Sequence, residues 1–433
     1  MSELQADVAI VGAGVAGLAA ARLLTSQGLR CCLLEASNAI GGRVRTVRRA
    51  GWQIPIELGA EFVHGRPAPT LSIGGGIELI PVPERRMMAA PDPQPMHDTW
   101  RHFAAALDGA RDAPRGESMA AYLERARLSR PDQQLVQMMV EGYHAAPLND
   151  VSALAVAEDA ANAGAHFTQY RPAHGYDAVL VELEAGLEQR LCRIQLGARV
   201  ERLAWSPGKV AVHANSPEGP LRLSATCCLV TTSIGVLQAP AGRGGIAFEP
   251  RPPEFSSALS LLAMGNALRV VMRFERAPWV DIEPATAATF LQVPLAQFPT
   301  LWRETHASGQ TQITAWAGGP RARAASKLET PALIEAALES LAQGTQSDVS
   351  ACRSALIEAH HHDFNGDPLT LGAYSYVRPG GESAARALGE PWKNTVFFAG
   401  EALDLQYPGT VAGALGSGEH AARKLLLSLR GEP

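Results

Sequence analysis

Residues 6–35 run ADVAIVGAGVAGLAAARLLTSQGLRCCLLE, and the fold is decided by how this stretch divides. Short apolar residues from Ala6 to Val11 predict a strand. Gly12, Gly14 and Gly17 follow in Gly-x-Gly-x-x-Gly spacing, an Ala/Leu-rich helix stops at Gly28, and a second strand closes on Glu35, roughly 20 positions further on. Each glycine has a physical job. Gly12 permits the tight turn, Gly14 has no side chain to block a pyrophosphate, and Gly17 lets helix and strand pack closely. The helix N-terminus offers free N–H groups to phosphates, and Glu35 can accept hydrogen bonds from a ribose. The stretch predicts a dinucleotide-binding βαβ unit.

The next residues select the dinucleotide. Ala36 opens ASNAIGGRVRT, which brings Gly41, Gly42 and Arg43 just past the ribose-binding strand. A second glycine pair followed by arginine lets backbone and one guanidinium reach the other side of a pyrophosphate. An extra clamp of this kind suits a buried FAD better than NAD.

Composition bounds the rest. With 433 residues, 46% of them hydrophobic, the chain is too long for one small core, and two interleaved domains are expected. A net charge of −5 without a long Lys/Arg run argues against nucleic acid or an acidic membrane as partner. No run approaches the roughly 20 apolar residues of a spanning helix, and the first strand begins too near Met1 to leave room for a cleaved secretory signal, so a cytoplasmic protein is expected. Two adjacent cysteine pairs, Cys31-Cys32 and Cys227-Cys228, lie on strand-like runs where neighbours face opposite ways, and they read as buried free thiols. The consecutive His360, His361 and His362 cannot converge on one ion from a strand, and no metal is expected.

Along the chain, IELGAEFVHG (56–65) looks like a strand entering a glycine turn. There Gly59 allows close backbone approach, and Phe62, Val63 and His64 follow. The Pro/Gly-rich stretch from Arg66 to Met96 has no periodicity and predicts a long surface connection. Three segments, DTWRHFAAALDGA, ESMAAYLERARL and PDQQLVQMMVEGYHAA, repeat apolar residues at helical spacing and predict a helical lobe. A further helix is expected within 175–191. IQLGARVERLAWSPGKVAVHA alternates like a hairpin that carries Val200. GNALRVVMRFERAPW and TQITAWAGG predict strands, and Thr330 starts a helix. WKNTVFFAGE then returns a strand to the cofactor, with Trp392 before it and Gly400-Glu401 at its end. A helix from about Val411 follows.

Taken together, GAGVAGL, LLEASNAIGGRVRT, ELGAEFVHG, LVTTSIGVL, GAYSYV and FFAGEALDLQYPGTVAGALGSG resemble, in this order, the flavin-containing amine oxidase superfamily over essentially the whole chain. The likeness is strongest to the branch of polyamine oxidases and lysine-specific histone demethylases. It implies an α/β protein in which a Rossmann-like FAD-binding domain (1–75, 186–253 and 370–433) is interleaved with an α+β substrate-binding domain (76–185 and 254–369). It further implies non-covalent FAD, hydride transfer from the carbon beside an amine nitrogen to flavin N5, imine hydrolysis, and O2 as electron acceptor. Gly12, Gly14, Gly17, Glu35, Gly42, Arg43, Val200, Glu401, Thr410 and Val411 match the FAD-contact positions. Ala36, Gly59, Ala60, Trp392 and Gly400 are placed with them. Tyr374 falls on an aromatic position beside the substrate nitrogen, with His64 and Phe62 towards the entrance.

The resemblance has departures. Arg269 stands where the family has a lysine that holds a water near N5, Thr410 where monoamine oxidases have a second cage tyrosine, Phe364 where a tryptophan is frequent, and Ala373 where monoamine oxidases attach flavin through cysteine. The leading expectation is an FAD-dependent oxidase of a polyamine or aryl-alkyl amine, a monomer or homodimer with Arg269, Tyr374, His64 and Phe62 at the reacting end. The alternatives are a desaturase or dehydrogenase of the same fold with another electron acceptor, which Arg269 favours, and a flavin-binding scaffold without turnover.

Overall fold

The structure is a computed structural model that describes residues 2–73, 76–89, 94–163, 168–275 and 288–431. Among these, five parallel strands form the dinucleotide sheet in the order Cys192–Gln195, Cys31–Leu34, Val8–Val11, Cys227–Val230, Val396–Phe398. The last four are buried throughout, as continuous apolar runs covered on both faces must be. On one face lie the helices Val15–Ser26 and Val411–Arg430, joined through Leu18, Leu24, Leu415 and Leu425. On the other lies a second sheet, Ser2–Gln5, Gly219–Ala225, Lys209–Ser216, Arg199–Ser206 and Ala247–Glu249, whose Leu203, Val212 and Leu223 pack on the faces of Ala9 and Val11. The expected hairpin is the Arg199–Ser206 and Lys209–Ser216 pair.

The second body is built on a seven-stranded sheet in the order Leu356–His361, Ala267–Phe274, Thr311–Gly318, Thr300–Thr305, Phe290–Gln292, Arg86–Met88, Gln94–Met96. Strand alternation decides what this sheet offers the site. Leu268, Val270, Met272 and Phe274 face the helix Thr330–Thr345 and its Leu333, Leu338 and Leu341. Arg269, Val271 and Arg273 therefore face the other way, and Val271 meets Ile56 and Leu58. A helical lobe, Thr99–Ala106, Met119–Arg125, Arg130–Tyr143 and Ala153–Ala163, closes over Phe103, Tyr122 and Val140. Ser118 and Ser129 cap two of its helices through their hydroxyls.

Several expectations change. The stretch from Arg66 to Met96 is not a plain surface connection. It contributes the strands Leu79–Val82, Arg86–Met88 and Gln94–Met96, and it buries Ile73, Val82 and Met87. Pro81, Pro83 and Pro95 mask the alternation that would have revealed them, and prolines are tolerated in such short or edge strands. The helix Ala178–Ala185, assigned from sequence to the substrate domain, packs its Val179, Leu180 and Leu183 into the dinucleotide core. Ala153–Ala163 was not foreseen. The boundary at residue 75 and the end of GNALRVVMRFERAPW, from residue 276, lie outside the described residues.

The cysteine pairs are buried free thiols. The three histidines go to separate partners, His360 to Glu358, His361 to Thr330 and His362 to Asp367.

Glu57 ties the two-stranded pair Thr46–Val47 and Ile56–Glu57 to the segment before helix Ala178–Ala185. Its carboxyl accepts from the Tyr176 backbone N–H and the Thr46 hydroxyl, both at 2.7 Å. Burial, which outweighs these hydrogen bonds, pushes its pKa up from 4.5 to about 8. A carboxyl whose pKa is raised on folding contributes its stability below pH 4.5 and loses it as pH climbs through about 8. Glu57→Gln stays uncharged. The melting temperature of the wild type minus that of the variant should therefore fall between about pH 5 and about pH 9. A difference that stays flat would show that Glu57 is ionised throughout.

Candidate active site

A cavity of about 1170 Å³ runs from the dinucleotide sheet to the seven-stranded sheet. At its first end the three glycines differ as the sequence predicts. Gly12 has φ +101°, and a Cβ there would lie 2.8 Å from Thr231 Oγ1. A Cβ on Gly17 would lie 2.1 Å from the Gly12 carbonyl oxygen, so helix and turn touch directly. A Cβ on Gly14 would meet no protein atom within 4 Å, and Gly14 lines the cavity at the start of helix Val15–Ser26. That is the cradle a pyrophosphate needs.

Glu35 is 8% exposed. Its two oxygens accept from the backbone N–H groups of Ala13 (2.7 Å) and Ser37 (2.8 Å). Burial nevertheless raises its pKa. Glu35 thus fastens the glycine turn to the loop that begins at Ala36, as well as lining the cavity beside Ala36 and Val200.

Arg43 and Glu401 form one unit. Arg43 Nη1 donates to Glu401 Oε1 and to the Ala373 carbonyl, each at 2.8 Å, and Glu401 Oε2 accepts from the Ser375 hydroxyl at 2.6 Å. Glu401 therefore fixes the guanidinium rather than standing alone. Gly42, Gly59, Ala60 and Gly400 line the cavity around them. Thr410 accepts from Gly413 N at 3.0 Å and caps the helix that starts at Val411, whose first turn faces the same space. Two predicted cofactor residues are not on the wall. Gly17 acts through packing. The Trp392 ring sits in the core, 4.9 Å from Phe255 and 4.8 Å from Phe398, and braces the strand that delivers Gly400.

At the far end the structure gathers Phe62, His64, Arg269 and Tyr374 on the cavity wall. Arg269 is paired across the sheet with Trp316, and its guanidinium lies 5.1 Å from the Trp316 ring and 5.7 Å from Trp302. It points inward, onto the cavity wall. Its partner is the buried Glu61, at 2.8 Å, with a second bond to the Glu57 carbonyl at 3.0 Å.

Glu61 also accepts from Arg171 Nη2 at 2.7 Å and from Trp302 Nε1 at 2.8 Å. The Arg171 guanidinium covers the Phe62 ring at 4.8 Å. Burial lowers the pKa of Arg269 against the opposing pull of Glu61 and Glu57. Tyr374 donates its hydroxyl to the Tyr143 carbonyl at 2.8 Å, and burial raises its pKa. His64 stands edge-on to Tyr143 with ring centres 5.6 Å apart, and burial, aided by Arg86, lowers its pKa to about 4.

Glu61, Trp302, Trp316 and Tyr143 escaped the sequence reading. The alternation of TQITAWAGG held a signal, since Ala315 and Ala317 enter the core and Trp316 must face away. Glu61 carried only the oddity of an acid inside a glycine turn.

A parallel dinucleotide sheet whose cavity continues into an aromatic chamber walled by a second sheet defines a two-body flavin-dependent oxidoreductase. Residues 15–426 match the family described as flavin containing amine oxidoreductase, and the chain belongs to that family. It is an FAD-dependent amine oxidoreductase. It is 25% identical over 459 residues to the probable polyamine oxidase 4 of Arabidopsis thaliana, covering 98% of this chain and 87% of that protein. It is 27% identical over 445 residues to lysine-specific histone demethylase 1 homolog 2 of Oryza sativa subsp. japonica, covering 98% of this chain but 57% of the relative. Among solved structures, putrescine oxidase bound to putrescine superposes with a TM-score of 0.80 at 19% identity, and cyclohexylamine oxidase from Brevibacterium oxydans IH-35A with 0.81 at 20%. Each covers 98% of this chain and 99% of its own, and this likeness shows the fold. No helix among the described residues is long and apolar enough to cross a membrane.

The cradle predicts opposite behaviour for two neighbouring glycines. Gly17→Ala should lower the melting temperature, because overpacking against a backbone oxygen costs about 1–3 kcal/mol. Gly14→Ala should leave the melting temperature of cofactor-stripped protein unchanged but reduce the FAD retained on purification. Equal effects of both on both readouts would contradict this division of roles.

Proposed function

We propose that the protein removes a hydride from the carbon beside the nitrogen of a primary or secondary amine, an aryl-alkyl amine or a polyamine, in the cytoplasm and with O2 as final acceptor. One observation carries this reading. The wall formed by Arg269, Trp302, Trp316, Phe62 and Tyr374 belongs to the same cavity as the dinucleotide cradle. FAD, when bound, would supply the hydride acceptor, and its reoxidation by O2 would release H2O2.

The chain's own residues do the rest. The rings confine the amine and exclude water, so the gain comes from positioning more than from a strong base. Oxidation needs the nitrogen lone pair, and an apolar chamber that also holds guanidinium groups disfavours the ammonium form. His64, with its pKa near 4, stays neutral at physiological pH and adds no further charge. Tyr374 has committed its proton to Tyr143, and so it offers its ring face. Glu61 holds Arg269 as a fixed cation at the reacting end, placed to stabilise negative charge that develops during electron transfer. Ala373 gives no thiol for attachment, which supports non-covalent FAD, and six unpaired cysteines fit a reducing compartment.

The test is anaerobic mixing of the yellow protein with polyamines, aryl-alkyl amines and amino acids. At least one amine should bleach the flavin, and air should then restore the colour with release of peroxide. A panel that leaves the flavin oxidised would overturn the proposal. Bleaching without peroxide on re-aeration would favour the second reading, a dehydrogenase with another acceptor, for which Arg269 in place of lysine is the motive.

Arg269→Met should slow reoxidation by O2 more than it slows anaerobic reduction, by roughly tenfold, the value of about 1.4 kcal/mol. Arg269→Lys should retain oxidase activity. Small, equal effects of both substitutions on both half-reactions would make Arg269 structural.

A further inference from the structure

A second buried guanidinium stands on the cavity wall, unused by the chemistry above. Arg86 lies on the short strand Arg86–Met88, which runs parallel to Phe290–Gln292. Its side chain is 9% exposed and lines the cavity. The guanidinium carbon sits 4.3 Å from the centre of the Phe290 ring and 5.9 Å from that of Trp100. Among the described residues its hydrogen bonding amounts to one long contact, Nε to Glu84 Oε2 at 3.4 Å. Neither terminal nitrogen donates to any described group.

The contrast with Arg269 on the same wall, and with Arg171, which packs on the Phe62 ring, is the argument. Arg269 and Arg171 both end on Glu61 at 2.8 and 2.7 Å. Their charge is answered inside the protein. Arg86 has only the Glu84 ion pair at 3.4 Å on its Nε side, and its outer fork donates to no described group, although a buried donor without an acceptor is costly. The fork of two parallel N–H groups matches an oxyanion that accepts two hydrogen bonds, above all a carboxylate. Phe290 is 6.2 Å from Trp302, whose ring is 5.7 Å from the Arg269 guanidinium. Two aromatic rings therefore separate Arg86 from Arg269. An anion on Arg86 lies at the far end of the chamber from a carbon reacting beside Arg269, with its apolar middle along Phe290 and Trp302.

We propose that Arg86 binds a carboxylate at the non-reacting end of the substrate, so that the amine oxidised is an amino carboxylate with its two groups well separated. This deepens the amine reading above and rests on it. It makes a polycation, with positive charge at the distal end, a poor fit to Arg86.

Matched ligands test it on the holoenzyme. In the anaerobic reaction 4-(aminomethyl)benzoate should half-saturate flavin reduction at a concentration lower by roughly tenfold or more than 4-methylbenzylamine, which has a methyl in place of the carboxylate. Arg86→Met should erase that preference by weakening the acid and leaving the methyl compound unchanged, and Arg86→Lys should recover part of it. A separate calorimetric titration uses 4-methylbenzoate, which has no amine to oxidise. It should bind the wild type and not Arg86→Met at equal FAD content. Equal half-saturation by the two amines in the wild type would overturn the proposal. So would benzoate binding that survives Arg86→Met. If Arg86→Met does not retain FAD, Arg86→Gln takes its place under the same two criteria. If no amine bleaches the flavin, the amine reading fails, while the benzoate titration still decides whether Arg86 is an anion site.

Discussion

The carboxylate of Glu61 holds together the reacting end of the cavity. It accepts from Arg269 on the seven-stranded sheet, from Arg171 on the strand Gln169–Pro172, and from the Trp302 indole. Glu61 itself follows the strand Ile56–Glu57, in the segment that leaves the cofactor body. One buried acid thus ties two strands of the seven-stranded sheet and the strand Gln169–Pro172 to the segment after Gly59. Removing one partner of such a buried cluster costs about 3–5 kcal/mol, because it leaves a charge unanswered. The arrangement gives little net stability over a hydrophobic replacement, and it is better understood as a device that fixes where Arg269 stands.

With Arg269 fixed, the rest of the chamber follows from ordinary packing. Trp316 lies opposite Arg269 on the neighbouring strand, and Trp302 joins it through its bond to Glu61. Tyr374 is anchored to Tyr143, and His64 stands edge-on to the same residue. The cofactor end uses the same principle in a second acid-arginine pair. Arg43 is clamped by Glu401 and the Ala373 carbonyl, so the guanidinium expected at the cofactor is set before any cofactor arrives. Both ends spend an acidic residue on orienting an arginine.

The cofactor half was legible in the sequence because its determinants are local. Gly12, Gly14 and Gly17 each answer to a neighbour within one turn or to the cavity, and their spacing encodes that. The substrate half depends on contacts between distant segments. Both faces of Ala267–Phe274 are buried, so the pattern alone could not say which face Arg269 takes. The helix Thr330–Thr345 decides it by claiming Leu268 and Val270. Helix Ala153–Ala163 went unseen because its buried stripe is Ala153, Val156, Ala157 and Ala160, mostly small residues that barely register as hydrophobic periodicity. Trp392 was placed with the cofactor residues, whereas its ring packs on Phe255 and Phe398 in the core behind that strand.

The most direct test of the central claim is a double-mutant cycle between Glu61→Gln and Arg269→Met, read as the rate at which O2 reoxidises flavin that the best amine has reduced anaerobically. If Glu61 acts by holding Arg269, the double variant should be about as slow as the slower single variant, a coupling on the order of 1 kcal/mol or more. Effects that simply add would contradict the account, because the two residues would then act independently.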